Sequence, residues 1–193
     1  MSDAPDVDEH HPLPFEPEIR VLVVCTGNIC RSAMGEVVLR DRLVVSGLAT
    51  RVAVASAGVS DEEHGNPIDR RAQRVLEDAG YDPHKHQARQ VDARTLSQYR
   101  LVLAMTAAHE RALRGIAQRE GLTMGPEGTE IRMWREFDVL APDSVGRSSD
   151  LDVPDPWYGS MDDFVDVLDT IERGADGVVD YLREILDPVS VGG

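Results

Sequence analysis

Residues 25–32 have the sequence Cys-Thr-Gly-Asn-Ile-Cys-Arg-Ser and follow an apolar run at 21–24. The run predicts a buried strand, and the spacing of apolar residues after position 32 predicts a helix. In an open parallel sheet, ligands bind beyond the carboxyl ends of the strands, where the next helix presents unpaired N–H groups. The loop is therefore predicted to bind an anion, and its thiol is placed to act as a nucleophile.

The side chains of this loop suit phosphoryl chemistry. A thiol beside a guanidinium and a hydroxyl at the start of a helix is expected to react as a thiolate, which assigns Cys25 as the nucleophile and Ser32 as its support. Arg31 is expected to bind two oxygens of a phosphoryl group. Gly27 and Asn28 suit the positive φ angles of a tight anion-binding turn. The competing interpretation is that both cysteines are small core residues at a strand end.

Length and composition predict one domain between two tails. The chain has 193 residues, enough for a single core without disulfides. Residues 1–18 combine prolines with acidic residues and are expected to form a flexible acidic tail. The predicted domain is 19–188, with a C-terminal tail at 189–193.

The charge balance limits the classes of partner. With 35 acidic and 20 basic residues the formal net charge is −15, so nucleic acid and anionic membranes are not expected to bind. We find no apolar run of the ~18 residues that a membrane span needs, and the acidic N-terminus differs from a signal peptide. Both cysteines lie in one motif, which fits a reducing compartment. We expect a cytoplasmic monomer, with export by a route without a signal left open.

Hydrophobic periodicity predicts alternating strands and helices, and therefore a parallel sheet covered on both faces. The first helix is expected to bury Met34, Val37, Val38, Val44 and Val45. The last helix is expected to begin at a capping box and to end before Pro188. The predicted strands lie at 20–25, 51–56, 100–105 and 130–134. The first helix is predicted at 32–46, and the helices between the first and the last at 69–79, 92–98 and 107–118.

Several segments together resemble the low-molecular-weight protein tyrosine phosphatases, from about residue 20 to residue 186. Besides the loop at 25–32, they are Ser-Ala-Gly at 56–58, Gly-Asn-Pro-Ile-Asp-Arg-Arg-Ala at 65–72, His-Gln-Ala-Arg-Gln at 86–90 and Asp-Pro-Trp-Tyr-Gly at 155–159. The resemblance implies an α/β fold. It would be a small Rossmann-like three-layer domain, a four-stranded parallel sheet with helices on both faces and an N-terminal phosphate-binding loop.

The resemblance also implies a role for each matching residue. Cys25 would form a phosphocysteine, Arg31 would bind the phosphate and the transition state, and Asp155 would be the general acid that later activates water. If Cys25 and Arg31 were absent, Asp155 would be interpreted as a carboxylate in a turn before a proline. Trp157 and Tyr158 would form a substrate wall, unless they only pack under the loop. The residues that would bind phosphate or support the loop are Thr26, Gly27, Asn28, Ile29, Cys30, Ser32, Ser56 and His86.

The implied reaction needs no metal and no cofactor. His84 and His86 alone are weak evidence for zinc, because no carboxylate or thiolate accompanies them. The expected substrates are phosphotyrosine-containing proteins, which suggests a role in signalling. Because the chain is strongly acidic, peptides with basic residues beside the phosphotyrosine are expected to react faster.

Three positions depart from the family pattern. Ala33 replaces a proline of the first helical turn, and Gly35 replaces an alanine at a cost to the helix of ~1 kcal/mol. Both changes predict a slightly less rigid loop. Thr106 replaces an aspartate, but threonine is still able to cap the helix that follows.

Other functions remain open on the sequence alone. A protein arginine phosphatase of this fold usually has threonine where this chain has Ile29, which favours tyrosine. An arsenate reductase usually needs further cysteines after Cys30, although a small thiol could replace them. A non-catalytic phosphoprotein-binding module predicts loss of Cys25, Arg31 or Asp155, and all three are present.

Overall fold

The structure is a computed structural model that describes residues 16–83, 85–125, 128–142 and 148–188. Residues 1–15 of the predicted N-terminal tail, His84 and the predicted C-terminal tail 189–193 lie outside these ranges. At the start of the described part, Glu18 forms an ion pair with Arg51, with 2.6 Å between Oε1 and Nε.

The centre of the described structure is a parallel sheet of four strands. They are β1 (Ile19–Cys25), β2 (Val52–Gly58), β3 (Leu101–Ala104) and β4 (Glu130–Met133), in the order β2-β1-β3-β4. The chain leaves β1 toward one side to form β2 and returns on the other side to form β3. This reversal opens a crevice beyond the carboxyl end of β1, where parallel sheets bind ligands. Cys25, the last residue of β1, lies at that crevice.

Helices cover both faces of the sheet. They are α1 (Arg31–Val45), α2 (Arg70–Asp78), α3 (Ala93–Leu96), α4 (Ala107–Arg119) and α5 (Met161–Leu186), with short 3₁₀ turns at Trp134–Phe137 and Ser148–Leu151. The side chains of Val21 and Val23 pack toward α1, α2 and α5, whereas those of Leu22 and Val24 pack toward α3 and α4. The predicted three-layer α/β fold is therefore confirmed. None of the helices in the described residues is both long enough and apolar enough to span a membrane.

The end of α1 differs from the prediction. Val44 is 64% exposed and Val45 is 79% exposed, although both were expected in the core. Leu39 and Leu43 are buried instead. Each residue turns the helix by ~100°, so Leu43 occupies the inward direction and the next two side chains point to solvent.

Gly35 has a packing role that the sequence did not reveal. A Cβ atom at this position would lie 2.8 Å from Met105 Cε and 3.1 Å from Val23 Cγ1. The glycine therefore lets α1 approach the sheet closely just after the anion-binding loop. The close packing offsets the cost of glycine in helix propensity, and it keeps the start of α1 near the sheet.

A buried carboxylate ties α5 to the end of the sheet. Asp138 accepts hydrogen bonds from Arg173 Nε at 3.0 Å and from the N–H of Leu140 at 2.9 Å, and its side chain is fully buried. Burial opposes its ionisation, but these hydrogen bonds and the charges of Arg173 and Arg135 prevail and hold the pKa of Asp138 below its usual range.

Candidate active site

A cavity of about 270 Å³ lies beyond the carboxyl end of β1. It brings the predicted nucleophile, phosphate-binding arginine and general acid together with both predicted wall aromatics. The cavity is lined by Cys25, Thr26, Gly27, Ile29, Cys30, Arg31, Glu62, Glu63, Asp155, Trp157 and Tyr158. The other predicted site residues do not line the cavity: Asn28 and Ser32 belong to the loop, and Ser56 and His86 form hydrogen bonds with Asn28 from outside it.

The carbonyl groups of the loop are held outward by other parts of the chain. In a trans peptide the C=O and the N–H that share one plane point in opposite directions. A carbonyl that is fixed outward leaves the N–H of the next residue on the opposite side of the peptide plane, so we expect the N–H groups of the five peptide planes with fixed carbonyls to face the cavity. The pairs are Cys25 O with Val59 N, Thr26 O with Ser60 N, Asn28 O with His86 Nε2, Ile29 O with Asp69 N and Cys30 O with Met34 N, all at 2.6–3.0 Å.

Asn28 fixes the shape of the loop. Its φ of 61° is the predicted left-handed conformation, which asparagine tolerates better than most residues. Its amide donates to Ser32 Oγ at 3.0 Å and to Ser56 Oγ at 2.8 Å, and its Oδ1 accepts from the N–H of Arg89 at 3.1 Å. Because the side chain satisfies three partners at once, the buried asparagine holds the loop without leaving a polar group unpaired.

The predicted positive φ of Gly27 is wrong, since its backbone is not in the left-handed region. The glycine instead leaves space for a neighbouring side chain. A Cβ atom on Gly27 would lie 2.8 Å from Glu63 Cγ. The residue therefore lets the loop after β2 approach the anion site, and Glu63 becomes part of the cavity wall.

Ser32 lies beside the sulfur of Cys25, with 3.0 Å between Oγ and Sγ. Its Oγ already accepts a hydrogen from Asn28, so its own hydrogen is available for the sulfur. On the far side of Asn28, Ser56 donates to Glu36 Oε2 at 2.5 Å. Asn28 thus donates toward both ends of this chain of hydrogen bonds, to Ser56 beside a partly buried carboxylate and to Ser32 beside the sulfur, which leaves the hydroxyl hydrogen of Ser32 directed at the sulfur.

Cys30 has a different environment from Cys25. Both are free thiols, and both are buried. For Cys30, burial is the main effect that raises the pKa, and the nearby charge of Asp69 adds to it. The second cysteine is therefore a neutral thiol in neutral solution.

Arg31 and Asp155 form an ion pair at the mouth of the cavity, with 2.6 Å between Nη2 and Oδ2. Arg31 is 5% exposed, and it also donates to the carbonyl of Val153 at 3.2 Å. The Asp155 side chain is 53% exposed. The guanidinium is thus fixed by a backbone carbonyl on its inner side, while the carboxylate is open to solvent at the mouth of the cavity.

Two anchors place the segment that carries Asp155. On one side, Asp152 Oδ1 accepts from the N–H of Ala107 at 2.7 Å, and the N–H of Val153 donates to Met105 O at 2.8 Å. These bonds attach the segment to the start of α4. They set the distance between the carboxylate and the anion-binding loop.

The second anchor is Arg71, in the first turn of α2. Its Nη1 donates to the carbonyl of Trp157 at 3.0 Å, and its guanidinium lies 4.6 Å from the ring centroid of Phe164. Its carboxylate partner is Asp69, the N-cap of α2. The sequence pattern contained Arg71, but it did not show that this side chain holds the acid segment from the other side.

His109 is a second residue of the site that sequence analysis missed, and it is buried. Its Nε2 lies 2.9 Å from Thr26 Oγ1, and its Nδ1 lies 2.9 Å from Thr106 Oγ1. Thr106 caps α4 as predicted, by accepting from the N–H of His109. A polar residue four positions before Leu113, on the buried stripe of the helix, was the available signal.

The chemistry of the site is that of an oxyanion pocket with its own nucleophile. Among the described residues, no group of three or more His, Cys, Asp or Glu side chains is arranged to hold a metal ion. The positive charge and the N–H groups that face the cavity come from Arg31 and the backbone.

Comparison with known proteins identifies the family. Residues 20–186 match the family described as low molecular weight phosphotyrosine protein phosphatase. This chain belongs to that family. A low molecular weight protein-tyrosine-phosphatase of Streptomyces coelicolor is 41% identical over 165 residues, which cover 86% of this chain and 94% of the relative.

Solved structures agree with this assignment. YfkJ from Bacillus subtilis has a TM-score of 0.73 at 29% identity, and the match covers 88% of this chain and 98% of YfkJ. Wzb from Vibrio vulnificus, in complex with benzylphosphonate, has a TM-score of 0.67 at 30% identity and covers 84% of this chain and 98% of its own. The predicted family, fold and enzyme class are therefore confirmed: the chain is a protein tyrosine phosphatase, a hydrolase with a cysteine nucleophile.

Proposed function

We propose that this chain hydrolyses phosphotyrosine in proteins with Cys25 as the nucleophile, Arg31 as the phosphate-binding cation and Asp155 as the general acid and base. The convergence of these three side chains in one cavity with the inward N–H groups carries the proposal. Asp155 is far from the loop in the sequence, and it is the fold that brings its Oδ2 to 2.6 Å from Arg31 Nη2.

In the first step the Cys25 thiolate attacks phosphorus and forms a sulfur–phosphorus bond. The bond from phosphorus to the tyrosine oxygen breaks, and the departing oxygen takes the proton of Asp155. The N–H groups of the loop and the guanidinium of Arg31 stabilise the charge on the equatorial oxygens. The products of this step are a phosphocysteine, a tyrosine hydroxyl and an ionised Asp155.

In the second step water attacks the phosphocysteine. Asp155, now a carboxylate, takes a proton from that water, and the sulfur–phosphorus bond breaks. Inorganic phosphate forms, and the sulfur leaves as a thiolate that accepts the hydrogen of Ser32. The two steps return both Cys25 and Asp155 to their starting states.

The ion pair between Arg31 and Asp155 describes the free enzyme. An arriving phosphoryl group would replace the carboxylate on the guanidinium, because a dianion offers two oxygens to the fork of an arginine. Asp155 would then be released toward the leaving oxygen of the substrate, where it takes up from solvent the proton that it delivers in the first step. The anchors at Asp152 and Arg71 limit how far the carboxylate moves.

Features at the cavity entrance support an aromatic substrate. Ile29 and Trp157 line the cavity, and Tyr158 stands at its entrance, 97% exposed. Aromatic and aliphatic walls above a deep anion site favour a phosphate that is carried on a long ring, as in phosphotyrosine. The benzylphosphonate that is bound to Wzb from Vibrio vulnificus has the same combination of ring and phosphoryl group.

The decisive experiment compares matched phosphotyrosine, phosphoarginine and phosphoserine peptides with the parent protein, Cys25→Ser and Asp155→Asn, all in chelator. We expect preferential turnover of phosphotyrosine, its loss in Cys25→Ser, and a fall in kcat of about a hundredfold or more in Asp155→Asn. Asp162→Asn, an exposed carboxylate in the first turn of α5, is the control and should match the parent.

The leaving group provides a second criterion. A nitrophenolate leaves without a proton, so the first step with nitrophenyl phosphate should be slowed less by Asp155→Asn than the first step with phosphotyrosine. Full turnover by Cys25→Ser would refute the nucleophile. Preference for phosphoarginine, reduction of arsenate with a thiol, or phosphopeptide binding without turnover would each replace the proposed activity.

We also propose that the protein acts as a cytoplasmic monomer. The free thiols of both cysteines, which fit a reducing compartment, support the cytoplasmic part of this proposal. Sedimentation of the purified protein and fractionation of cells test the two parts separately.

A further inference from the structure

The first turn of α4 brings a buried histidine against the loop that carries the nucleophile. His109 is 5% exposed, and its Nε2 lies 2.9 Å from Thr26 Oγ1. Thr26 directly follows Cys25 and lines the cavity. The proposed reaction does not use His109. Burying an imidazole costs free energy unless its nitrogen atoms form hydrogen bonds, so the bond to the anion-binding loop calls for a role.

The direction of this hydrogen bond follows from the other side of the ring. Thr106 Oγ1 accepts from the N–H of His109 at 3.3 Å and lies 2.9 Å from Nδ1. A hydroxyl that accepts from an N–H still has its own hydrogen to donate, and we assign that hydrogen to Nδ1 because no other acceptor lies within hydrogen-bond distance of the Thr106 hydroxyl among the described residues. A neutral imidazole with an accepting Nδ1 carries its hydrogen on Nε2. Nε2 therefore donates to Thr26.

The surroundings keep the ring neutral. Burial is the main effect that lowers the pKa of His109 to about 4, and the charge of Arg31 lowers it further, while the charge of Asp155 acts in the opposite sense. In neutral solution the ring has one N–H only, and that hydrogen is already assigned to Nε2. The neutral ring adds no competing cation beside Arg31.

The bond determines what Thr26 offers to the cavity. Its hydroxyl accepts from His109, so the hydroxyl hydrogen remains for another acceptor. Its main chain is held as well, because Ser60 N donates to Thr26 O at 3.0 Å and Val59 N donates to Cys25 O at 2.9 Å. With side chain and backbone both fixed, the N–H and the O–H of Thr26 are two donors at one position of the cavity wall.

We propose that His109 is a positioning residue, which holds Thr26 so that its hydroxyl becomes an additional donor to the phosphoryl group. This inference rests on the proposed function, because the acceptor is the phosphate of the substrate. His109 is itself rigidly placed, since the start of α4 is tied by Asp152 to the segment that leads to Asp155. One helical turn thus aligns the nucleophile loop with the acid segment.

Two substitutions at one position separate this role from simple packing. In His109→Gln, the amide nitrogen of the side chain reaches about as far as Nε2 and still donates to Thr26. In His109→Asn, the amide reaches only as far as Nδ1, so it keeps the contact with Thr106 and loses the one with Thr26. We expect His109→Asn to weaken inhibition by inorganic phosphate and to lower kcat/KM by about threefold to tenfold, and His109→Gln to restore most of that loss.

The same contact is tested from the other partner. Thr26→Val keeps the shape but removes the hydroxyl, whereas Thr26→Ser keeps the hydroxyl. We expect Thr26→Val to lower kcat/KM and phosphate inhibition about as much as His109→Asn does. The double variant should be no more impaired than the more impaired of the two single variants, because both changes remove the same hydrogen bond. Equal losses in His109→Gln and His109→Asn, or losses that multiply in the double variant, would overturn the inference.

Thermal unfolding of each variant identifies those that fold. Thr26 is exposed, so its two variants are expected to fold even if the histidine variants do not. Equal phosphate affinities of Thr26→Val and Thr26→Ser would then contradict the inference. Phosphate affinity is measured by calorimetry in proteins that also carry Cys25→Ser. If Cys25→Ser alone retains turnover, the proposed function fails, while these affinities still test the role of His109.

Discussion

Replacing Gly58 by alanine should lower the activity by displacing the anion-binding loop, although the added methyl group lies against the protein backbone. Gly58 ends β2 beside the loop, and a Cβ atom there would lie 2.4 Å from Thr26 O and 3.1 Å from Ser60 O. Both oxygens belong to the backbone, and the first already accepts a hydrogen bond from Ser60 N. No side chain rotates to relieve this contact, so the loop itself has to move.

The size of the movement follows from the distance. Cβ atoms essentially never lie closer than 3.0 Å to a heavy atom, so Thr26 O has to shift by about 0.6 Å or more. The same peptide carries the N–H of Gly27, one of the groups that point at the anion. A displacement of ~1 Å in a catalytic group costs on the order of a hundredfold in rate, so we expect kcat/KM to fall by about 10- to 100-fold in Gly58→Ala.

The assay is steady-state hydrolysis of a phosphotyrosine peptide, together with inhibition by inorganic phosphate, which should weaken in parallel. Gly115→Ala is the matched control, because its Cβ would meet only the flexible end of Arg119 at 3.4 Å. This control should keep the parent activity and unfold at a slightly higher denaturant concentration, since alanine favours a helix. If Gly58→Ala folds and keeps its kcat/KM within about twofold of the parent, the loop does not depend on this backbone contact and the reasoning is refuted.

Three further changes test other features. Gly35→Ala should lower the free energy of unfolding by about 1–3 kcal/mol despite its better helix propensity, because it overpacks the contact between α1 and the sheet; a more stable variant in denaturant titration would contradict this. Folding lowers the pKa of Asp138, so its contribution is complete above the ~3.9 of an unfolded aspartate and is lost as the pH falls through the lower folded value. Asp138→Asn, which weakens the pair with Arg173, should cost about 1–3 kcal/mol at neutral pH and flatten the acid-side decline of stability, and parallel pH profiles would show the assignment to be wrong. Peptides with basic flanking residues should react about two- to fivefold faster than neutral ones at low salt, and Glu62→Gln with Glu63→Gln should remove that advantage; an unchanged preference would exclude these carboxylates as its source.

Local patterns were sufficient for the fold because each element follows from short-range physics. Apolar runs that are buried on both faces indicate central strands, and caps such as Thr106 and the pair Ser160 and Asp163 mark where helices begin. The same reasoning failed at Val44 and Val45. Periodicity shows that α1 has an apolar face, but the number of residues that this face buries depends on how far the sheet extends beneath the helix.

The site was predictable where its parts are contiguous. Cys25 and Arg31 occupy one loop, so their chemistry was visible in eight residues, whereas Asp155 entered only through the resemblance. Arg71 acts through a tertiary contact that no spacing encodes, and for His109 the spacing indicates burial on α4 but not the contact with Thr26. Gly27 illustrates the same limit, because a sequence shows that a glycine is present but not whether it provides a backbone angle or space.

The outward bonds of the loop also determine when activity is gained during folding. The carbonyls of Cys25 and Thr26 are held by residues just beyond β2, and those of Asn28 and Ile29 by His86 and Asp69, all distant in sequence. The loop therefore acquires its shape only after these segments have closed their long chain loops, a slow event compared with helix formation. A refolding chain should regain its helical circular dichroism before its turnover, so that recovered activity marks the last stage of assembly.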